Sequence, residues 1–267
     1  MKLISISSGK GGVGKTTLTC NLATALADQG QRVLILDGDL GMSNVDIFFG
    51  VRAITTAFDL LQGKSIDQCI THAIQGIDIL SGGSGLFEMT QINAFQRREL
   101  INQVNELQFR YDYVLIDTAP GLHEFVLHFN AVADDNIIVV TQDPASFTDA
   151  YALIKVLNKK HKLSEFKIIC NQVDEKNGQN LFVKLSEVVE KFLSVRLTYL
   201  ASVPLDPQLT RIQQMQRLIL RQAPNSPSCE TFRQLSKEII SETTSIVSEP
   251  QQSKGLESIF RPVTGHA

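Results

Sequence analysis

The sequence lacks the features typical of secreted, zinc-binding and membrane-spanning proteins. Its four cysteines, Cys20, Cys69, Cys170 and Cys229, are widely spaced and form no C-x-x-C pair, so we expect neither a zinc site nor a disulfide framework. No stretch approaches the roughly 20 apolar residues that a transmembrane helix needs. The N-terminus has one charge and a very short apolar run, unlike a signal peptide. We therefore predict free thiols in a reducing cytoplasm.

The sequence also lacks an excess of positive charge. It has 25 basic and 28 acidic side chains, a formal charge of −3, so DNA is not an expected partner. A hydrophobic fraction of 43% and a charged fraction of 20% are typical of a globular protein. Because no Gly/Ser/Pro-rich linker interrupts the chain before about residue 245, we predict one domain over residues 1–246 and a flexible tail over residues 247–267.

Short apolar runs rich in Val and Ile alternate with longer amphipathic stretches, an order that predicts an α/β fold. We expect a mostly parallel sheet of about seven or eight strands with helices on both faces. The strands that can be placed are Leu3–Ser7, Val33–Asp37, Ile77–Leu80, Tyr113–Asp117, Asn136–Thr141, Lys167–Asn171 and Leu197–Val203. The predicted helices are Lys15–Gln29, Phe95–Gln108, Ser146–Lys160, Gln179–Leu193, Gln208–Met215 and Ser228–Ile246.

A phosphate-binding loop follows the first predicted strand. Residues 9–16 match G-x-x-x-x-G-K-[ST] and lie between an apolar strand and an amphipathic helix, which is the context this P-loop motif requires. Backbone N–H groups and the helix N-terminus would surround phosphate, Lys15 would reach the β/γ oxygens, and the Thr16 hydroxyl would bind Mg²⁺. The residues predicted to bind ATP here are Gly9, Lys10, Gly11, Gly12, Val13, Gly14, Lys15, Thr16 and Thr17.

Three aspartates follow two other strands. Asp37 and Asp39 end the second strand, and Asp117 closes the apolar run that begins at Tyr113. Since ligands gather at the carboxyl ends of parallel strands, these carboxylates should face the phosphate loop. We predict that Asp117 binds Mg²⁺ and that Asp39 holds the metal or the attacking water. Asp37 would support the magnesium shell or the geometry of its loop.

The run from Lys10 to Thr17 resembles the MinD/ParA family of deviant Walker A ATPases. In that family a lysine at the position of Lys10 crosses a nucleotide-sandwich dimer to the partner's phosphates, which implies an ATP-dependent homodimer and a catalytic part for Lys10. The resemblance further implies that Asn171 helps to recognise adenine, and that the loop near Pro204 and Asp206 borders the base.

Within that family, four stretches look most like the FlhG/FleN (YlxH) branch of flagellar regulators. They are residues 37–46, 117–121, 148–157 and 226–233. The branch implies control of flagellar number or placement, with a transcription regulator and a placement GTPase as protein partners. Division-site or chromosome/plasmid partitioning is the rival within the family, and a non-hydrolysing nucleotide-dependent binding module is a rival of another class.

The C-terminal tail allows two interpretations. Leu256, Ile259, Phe260 and Val263 recur at helical spacing, as in a short amphipathic helix that lies on a membrane surface. Pro262, however, would end such a helix early. A weak peripheral contact with the inner face of the cell membrane and a disordered or core-docked tail both remain open.

Overall fold

The computed structural model describes residues 1–39, 44–82, 102–245 and 256–260. They contain eight strands, one more than could be placed from the sequence. The strands are β1 Lys2–Ser7, β2 Val33–Gly38, β3 Ile70–Ile74, β4 Ile77–Ser81, β5 Tyr113–Thr118, β6 Asp135–Val140, β7 Glu165–Asn171 and β8 Arg196–Val203. Their order across one sheet is β3-β4-β2-β5-β1-β6-β7-β8.

Every neighbouring pair in this sheet is parallel except β3 with β4. The unpredicted strand β3 is therefore an antiparallel edge strand, joined to β4 through Gln75 and Gly76. Gly76 has a φ of 83°, a left-handed conformation that glycine adopts without strain. Four residues of β3 are half-buried and His72 is exposed, so the strand has only a weak hydrophobic pattern.

Ten α-helices lie among the described residues. They are α1 Lys15–Ala27, α2 Val45–Phe49, α3 Ala57–Leu61, α4 Ile66–Cys69, α5 Glu124–Val132, α6 Pro144–His161, α7 Glu175–Phe192, α8 Pro207–Gln214, α9 Ile219–Gln222 and α10 Pro227–Ser245. The described residues also include two 3₁₀ helices, Glu106–Phe109 and Leu256–Phe260, and a helical segment over residues 102–105. None of the described helices has both the length and the apolar character needed to cross a membrane.

Most of the predicted helices are present, but α5 and the short helices α2, α3, α4 and α9 were not predicted. The sequence of α5 is apolar around most of the helix circumference. Its N-cap residue, His123, makes no capping hydrogen bond through its side chain, so the usual start signal is missing. The helix predicted over Phe95–Gln108 lies partly outside the described residues. Residues 102–105 are helical and lead into the 3₁₀ helix that ends at Phe109.

Apolar side chains cover both faces of the sheet, because successive residues of each strand point to opposite sides. Ile4, Ile35 and Leu115 belong to one cluster, which α1 and α10 cover. Leu3 and Leu36 belong to a second cluster on the other face. A third cluster joins β6 and β7 to α6 and α7. The prediction of a sheet with helices on both faces is therefore confirmed.

The described part of the C-terminal tail packs against the protein. Ile259 is buried in the second cluster, and its backbone carbonyl lies 2.8 Å from Nε2 of His128 on α5. Burial lowers the pKa of His128. Val263, which belongs to the same amphipathic pattern, and Pro262, which would end it, lie outside the described residues. Residues 256–260 thus occupy a docked position.

Replacing Phe232 should destabilise the fold. Phe232 on α10 is fully buried, so Phe232→Ala should lower the free energy of unfolding by about 3–5 kcal/mol, because it removes apolar contacts and leaves a cavity. Phe109 is 76% exposed, and Phe109→Ala should cost less than about 0.5 kcal/mol. Urea unfolding of both variants measures the difference. Equal losses would contradict the packing of α10 described here.

Candidate nucleotide site

The sheet topology brings the predicted site residues to one edge. Parallel strands end at the same edge, and β2, β5, β1, β6, β7 and β8 are consecutive neighbours. The phosphate loop follows β1, and Asp37 is in register with Asp117 on the adjacent strand β5. On the other side of β1, Asn171 ends β7 and is in register with Val203 of β8. The phosphate loop therefore lies between the aspartates and Asn171.

The phosphate loop is held in shape by its glycines and by Ser8. Gly12 and Gly14 have φ angles of 78° and 92°, and Gly14 is the N-terminal cap of α1. A Cβ at Gly14 would lie 2.5 Å from Nδ2 of Asn171, so a larger residue would clash there. The Ser8 hydroxyl donates to the carbonyl of Lys10 at 2.6 Å, which fixes the first turn of the loop.

Lys15 is buried below the loop, with 7% of its surface exposed. Its ammonium group donates a hydrogen bond to Oγ of Ser8 at 2.9 Å. Burial lowers the pKa of Lys15, while the charges of Asp117 and Asp39 oppose that shift. Sequence reasoning missed Ser8, although its place directly before the loop was visible.

Asp117 connects β5 to the first turns of α1. Its carboxylate accepts hydrogen bonds from the hydroxyls of Thr16 at 2.7 Å and Thr19 at 3.1 Å. Burial raises the pKa of Asp117 to about 7, with a further increase from nearby Asp37, although Thr16 and Lys15 favour the charged form. A buried carboxylate beside a threonine hydroxyl is the donor set expected of a Walker B aspartate and a P-loop threonine.

Asp37 and Asp39 occupy different environments. Asp37 is buried, and its carboxylate accepts hydrogen bonds from the backbone N–H groups of Asp39, Asn44 and Val45 at 3.1–3.3 Å. These bonds join Asp37 to the backbone at Asp39 and at the start of α2. A role in the geometry of its loop, one of the two roles predicted for Asp37, stays a prediction. Asp39 is half-buried at the start of that loop, and residues 40–43 lie outside the described residues.

No group of three or more His, Cys, Asp or Glu side chains suited to a metal is present in the described ranges. A magnesium site built from Thr16 and Asp117 fits this donor set, since magnesium retains water and phosphate oxygens as its other ligands.

A second loop contacts the phosphate loop from the β5 side. The backbone N–H of Gly121 donates to the carbonyl of Ser8 at 3.0 Å, and Gly121 has a φ of 97°. Pro120 lies 3.7 Å from the position that a Cβ on Gly11 would occupy. Thr118, by contrast, is buried and hydrogen-bonded to Ser7 at 2.9 Å. Residues 119–121 are therefore placed to respond to occupancy of the phosphate loop.

Asn171 has one satisfied and one unsatisfied side-chain atom. Its Nδ2 donates to the carbonyl of Val13 at 2.7 Å, whereas its Oδ1 is buried without a hydrogen-bond partner. Buried polar atoms nearly always have a partner. The residue lines a cleft together with Thr17, Leu18 and Pro204, and an amino group bound in that cleft would satisfy Oδ1.

Asp206 borders the same cleft but is occupied with protein contacts. One oxygen accepts from the backbone N–H of Gln208 at 2.9 Å, which caps α8. The other accepts from the hydroxyls of Ser226 and Ser228. Asp206 thus holds the loop after β8 against the start of α10, and the two serines were missed because their partner is about 20 positions away.

Lys10 lies on the open side of the loop and pairs with Asp143, the residue before α6. The sequence pattern did not indicate Asp143. It comes after β6, which is the neighbour of β1 in the sheet, so the contact depends on the sheet order rather than on local sequence.

Together, the fold and this edge of the sheet define the class of P-loop nucleoside triphosphatases. Comparisons with known proteins identify the family within this class. A family model described as AAA domain matches residues 1–169. The chain is 35% identical to the antiactivator FleN of Pseudomonas aeruginosa, over 90% of this chain and 86% of that protein. It is 30% identical to the flagellum site-determining protein YlxH of Helicobacter pylori, over 97% and 88% of the two chains.

Among solved structures, the septum site-determining protein MinD of Pyrococcus horikoshii, complexed with Mg-ADP, is 27% identical. It superposes with a TM-score of 0.69 over 91% of this chain and 97% of that one. The protein belongs to the MinD/ParA family of ATPases, within its FlhG/FleN branch.

The raised pKa of Asp117 predicts a pH dependence of stability. Because the folded-state pKa of about 7 lies above the ordinary value of 3.8, the folded state binds more protons between these values. The stability of the nucleotide-free protein should therefore fall as pH rises from about 4 to 7. The shift of about three units corresponds to at most about 4 kcal/mol.

Asp117→Asn should remove this contribution, because the amide does not titrate. The unfolding free energy of the variant minus that of the parent should therefore rise between pH 4 and pH 7 and level off above. Denaturant titrations at several pH values measure this difference. A difference that stays flat, or that falls with pH, would show that Asp117 is not a proton-binding buried acid.

Proposed function

We propose that this protein is an ATP-dependent switch that dimerises on ATP, hydrolyses it slowly with stimulation by a partner, and controls the number or placement of flagella. The observation that carries the nucleotide part is the contact between Asp117 and Thr16. It places a carboxylate and a hydroxyl at the start of the helix that follows the phosphate loop. The relatives FleN and YlxH support the flagellar part.

The phosphates would lie in the loop of residues 9–16, where backbone N–H groups and the N-terminus of α1 face them. Lys15 would exchange its hydrogen bond with Ser8 for the β/γ oxygens. Thr16 and Asp117 would hold Mg²⁺, which when bound neutralises charge on those oxygens. Asp39 would orient the attacking water, and Asp37 would keep the Asp39 loop in shape through its backbone hydrogen bonds.

The nucleobase would lie in the cleft beside Asn171. Oδ1 of Asn171 needs a donor, and the 6-amino group of adenine is one, whereas guanine and hypoxanthine carry a carbonyl at that position. A site that leaves a buried acceptor facing a carbonyl disfavours that ligand. The cleft therefore selects ATP, and Pro204 provides an apolar wall for the base.

Partner proteins would recognise whether this chain has ATP bound. Lys10 would complete the partner subunit's site in an ATP-bound dimer, so that ATP binding and dimerisation are linked. The name of the relative YlxH, a flagellum site-determining protein, supports a flagellar process. The protein partners in this proposal are a transcription regulator and a placement GTPase. This proposal includes a weak contact of the tail with the inner face of the cell membrane, for which residues 256–260 would have to leave the position in which Ile259 is buried.

Turnover separates this switch from a non-hydrolysing binding module. The parent should release phosphate from ATP, and Lys10→Ala should lower the rate at least about tenfold, because one cation that stabilises transition-state charge is removed. Lys160→Ala, which changes a lysine at the far end of α6, should leave the rate unchanged. Absence of phosphate release by the parent, with or without cell extract, would support the binding module instead.

Base discrimination tests the assignment of Asn171. The parent should bind ATP about tenfold more tightly than inosine triphosphate, and Asn171→Leu should bring the two affinities together. Asn180→Leu, at an exposed position on α7, is the matched control and should keep the parent's ratio. Calorimetric titration with both nucleotides gives the ratio. A parent that binds them equally would remove Asn171 from base recognition.

The cellular role is tested by deleting the gene in its own host and counting flagella by electron microscopy. Altered number or position, restored by the parent gene but not by Lys15→Ala, is the expected result. Unchanged flagella with misplaced division septa or lost chromosomes would support division-site placement or chromosome partitioning instead. The structural similarity to MinD is consistent with that alternative.

A further inference from the structure

A buried network of polar side chains lies at the base of the phosphate loop. Its members are Ser5 and Ser7 of β1, Thr118 of β5, Asn130 of α5 and Asn136 of β6, and each has at most 5% of its surface exposed. Burying a polar group is unfavourable unless it finds a hydrogen-bond partner. Because β5, β1 and β6 are consecutive strands of the sheet, the network joins three neighbouring strands to one helix.

The amide group of Asn130 fits this network in one orientation. Its Nδ2 donates to Oγ of Ser7 at 2.8 Å and to the carbonyl of Val126 at 2.6 Å, and its Oδ1 accepts from the hydroxyl of Ser5 at 3.0 Å. The reverse orientation would place Oδ1 against the Val126 carbonyl, and two acceptors cannot form a hydrogen bond. Asn130 therefore acts as a donor towards Ser7.

The network continues from Ser7 to the residue after Asp117. Oγ of Ser7 lies 2.9 Å from Oγ1 of Thr118, and the single hydroxyl proton of Thr118 is donated to the carbonyl of Ile6 at 3.1 Å. The Ser7 hydroxyl must therefore donate to Thr118. The hydrogen bonds thus run in one direction, from Asn130 through Ser7 to Thr118.

Thr118 connects two parts of the nucleotide site. Asp117, directly before it, accepts a hydrogen bond from Thr16 at 2.7 Å. Residues 119–121, directly after it, contact the phosphate loop through the backbone N–H of Gly121. Since its side chain is held to β1, Thr118 fixes the point from which residues 119–121 extend.

The helix that carries Asn130 also contacts the start of the Asp39 loop. A Cβ built on Gly38 would lie 2.8 Å from Cε2 of Phe129 and 3.1 Å from the carbonyl oxygen of Asp117, so only glycine fits between α5 and β5 at this point. Phe129 and Asn130 are adjacent in the sequence. The helix α5 is therefore linked to the loops that follow both β2 and β5.

We propose that Asn130 is a positioning residue for ATP hydrolysis, which holds Thr118 through Ser7 and so keeps residues 119–121 in place against the phosphate loop. The proposal rests on the proposed function, because it assumes that the chain hydrolyses ATP. It adds that α5, which contributes no residue to the proposed nucleotide site, sets the relative position of the two loops beside the phosphates.

The expected effect is on the rate of hydrolysis rather than on the affinity for ATP. The phosphate loop and Lys15, which would bind the nucleotide, keep their own contacts when the network is cut. A displacement of about 1 Å in groups that act on the reaction can lower its rate about 100-fold. Loss of the Ser7–Thr118 contact should therefore lower kcat about tenfold and change the ATP dissociation constant less than about twofold.

Two serines of β1 separate this role from packing. Ser7→Ala removes the contact with Thr118. Ser5→Ala makes the same change at an equally buried position, where the hydroxyl lies 3.0 Å and 2.8 Å from Oδ1 of Asn130 and Asn136 instead. Asn130→Leu cuts the same chain of hydrogen bonds from the helix side, and Thr118→Ser keeps the hydroxyl as the conservative variant.

The first measurement needs no nucleotide. Hydrogen–deuterium exchange, followed by peptide mass spectrometry, reports how firmly the backbone N–H of Gly121 is held. In Ser7→Ala and Asn130→Leu, the peptide that contains residues 119–123 should exchange severalfold faster than in the parent, whereas Ser5→Ala should leave its exchange unchanged. Unchanged exchange in Ser7→Ala and Asn130→Leu, or an equal increase in Ser5→Ala, would overturn the proposal.

The second measurement is phosphate release at saturating ATP and magnesium, with the ATP dissociation constant from calorimetry. Ser7→Ala, Asn130→Leu and the double variant should each have a kcat about tenfold below that of the parent, because two changes in one chain of hydrogen bonds do not add. Ser5→Ala and Thr118→Ser should remain close to the parent, and all variants should bind ATP with about the parent's affinity.

The outcomes distinguish this proposal from the proposed function. A parent that hydrolyses ATP while Ser7→Ala and Asn130→Leu keep its kcat would refute this proposal alone. A loss of about 100-fold in the double variant would do the same, since it would show that the two residues act independently. A parent that binds ATP but releases no phosphate would refute the proposed hydrolysis, and this proposal with it.

Discussion

The buried carboxylate of Asp117 is the interaction on which the site depends. It ends the central strand β5, is in register with Ile6 of β1 and Asp37 of β2, and accepts hydrogen bonds from Thr16 and Thr19 on α1. This arrangement keeps a charge-bearing group in the core, where burial opposes ionisation. A metal bound at Thr16 would favour the charged form of Asp117. Ligand binding can therefore offset the unfavourable free energy of burying this charge in the nucleotide-free protein.

Around that contact, the phosphate loop is held from three directions. Gly121 binds the carbonyl of Ser8 from the β5 side, Asn171 binds the carbonyl of Val13 from the β7 side, and Asp143 pairs with Lys10 from α6. Each of these contacts joins the loop to a different strand end. A change in the loop can therefore reach the Asp117 loop, the base cleft and α6 through direct contacts.

Much of this could be predicted from the sequence, because the signals were local. The P-loop motif requires a strand before it and a helix after it, and both were visible as hydrophobic patterns. Asp117 could be recognised because it ends an apolar run. The parallel sheet then predicted that these segments share one edge. Lys10 and Asn171 required a family resemblance, since neither a single lysine nor a strand-end asparagine carries information by itself.

The remaining features depend on contacts between distant segments. Asp143 meets Lys10 only because β6 lies beside β1, and Asp206 meets Ser226 and Ser228 only because α10 packs across the loop after β8. The edge strand β3 is half-buried, and α5 lacks a capping signal, so neither stands out as a local pattern. The position of residues 256–260 beside His128 likewise depends on tertiary packing, since an amphipathic pattern is equally consistent with a membrane surface.

The most direct test of the central claim, a nucleotide site shared between two subunits, is the solution mass of Asp39→Ala with ATP and magnesium. Sedimentation equilibrium should give twice the mass of the 29.5 kDa chain with ATP and the mass of one chain with ADP, because the variant binds ATP but does not consume it. A single-chain mass with ATP demonstrably bound would contradict the account.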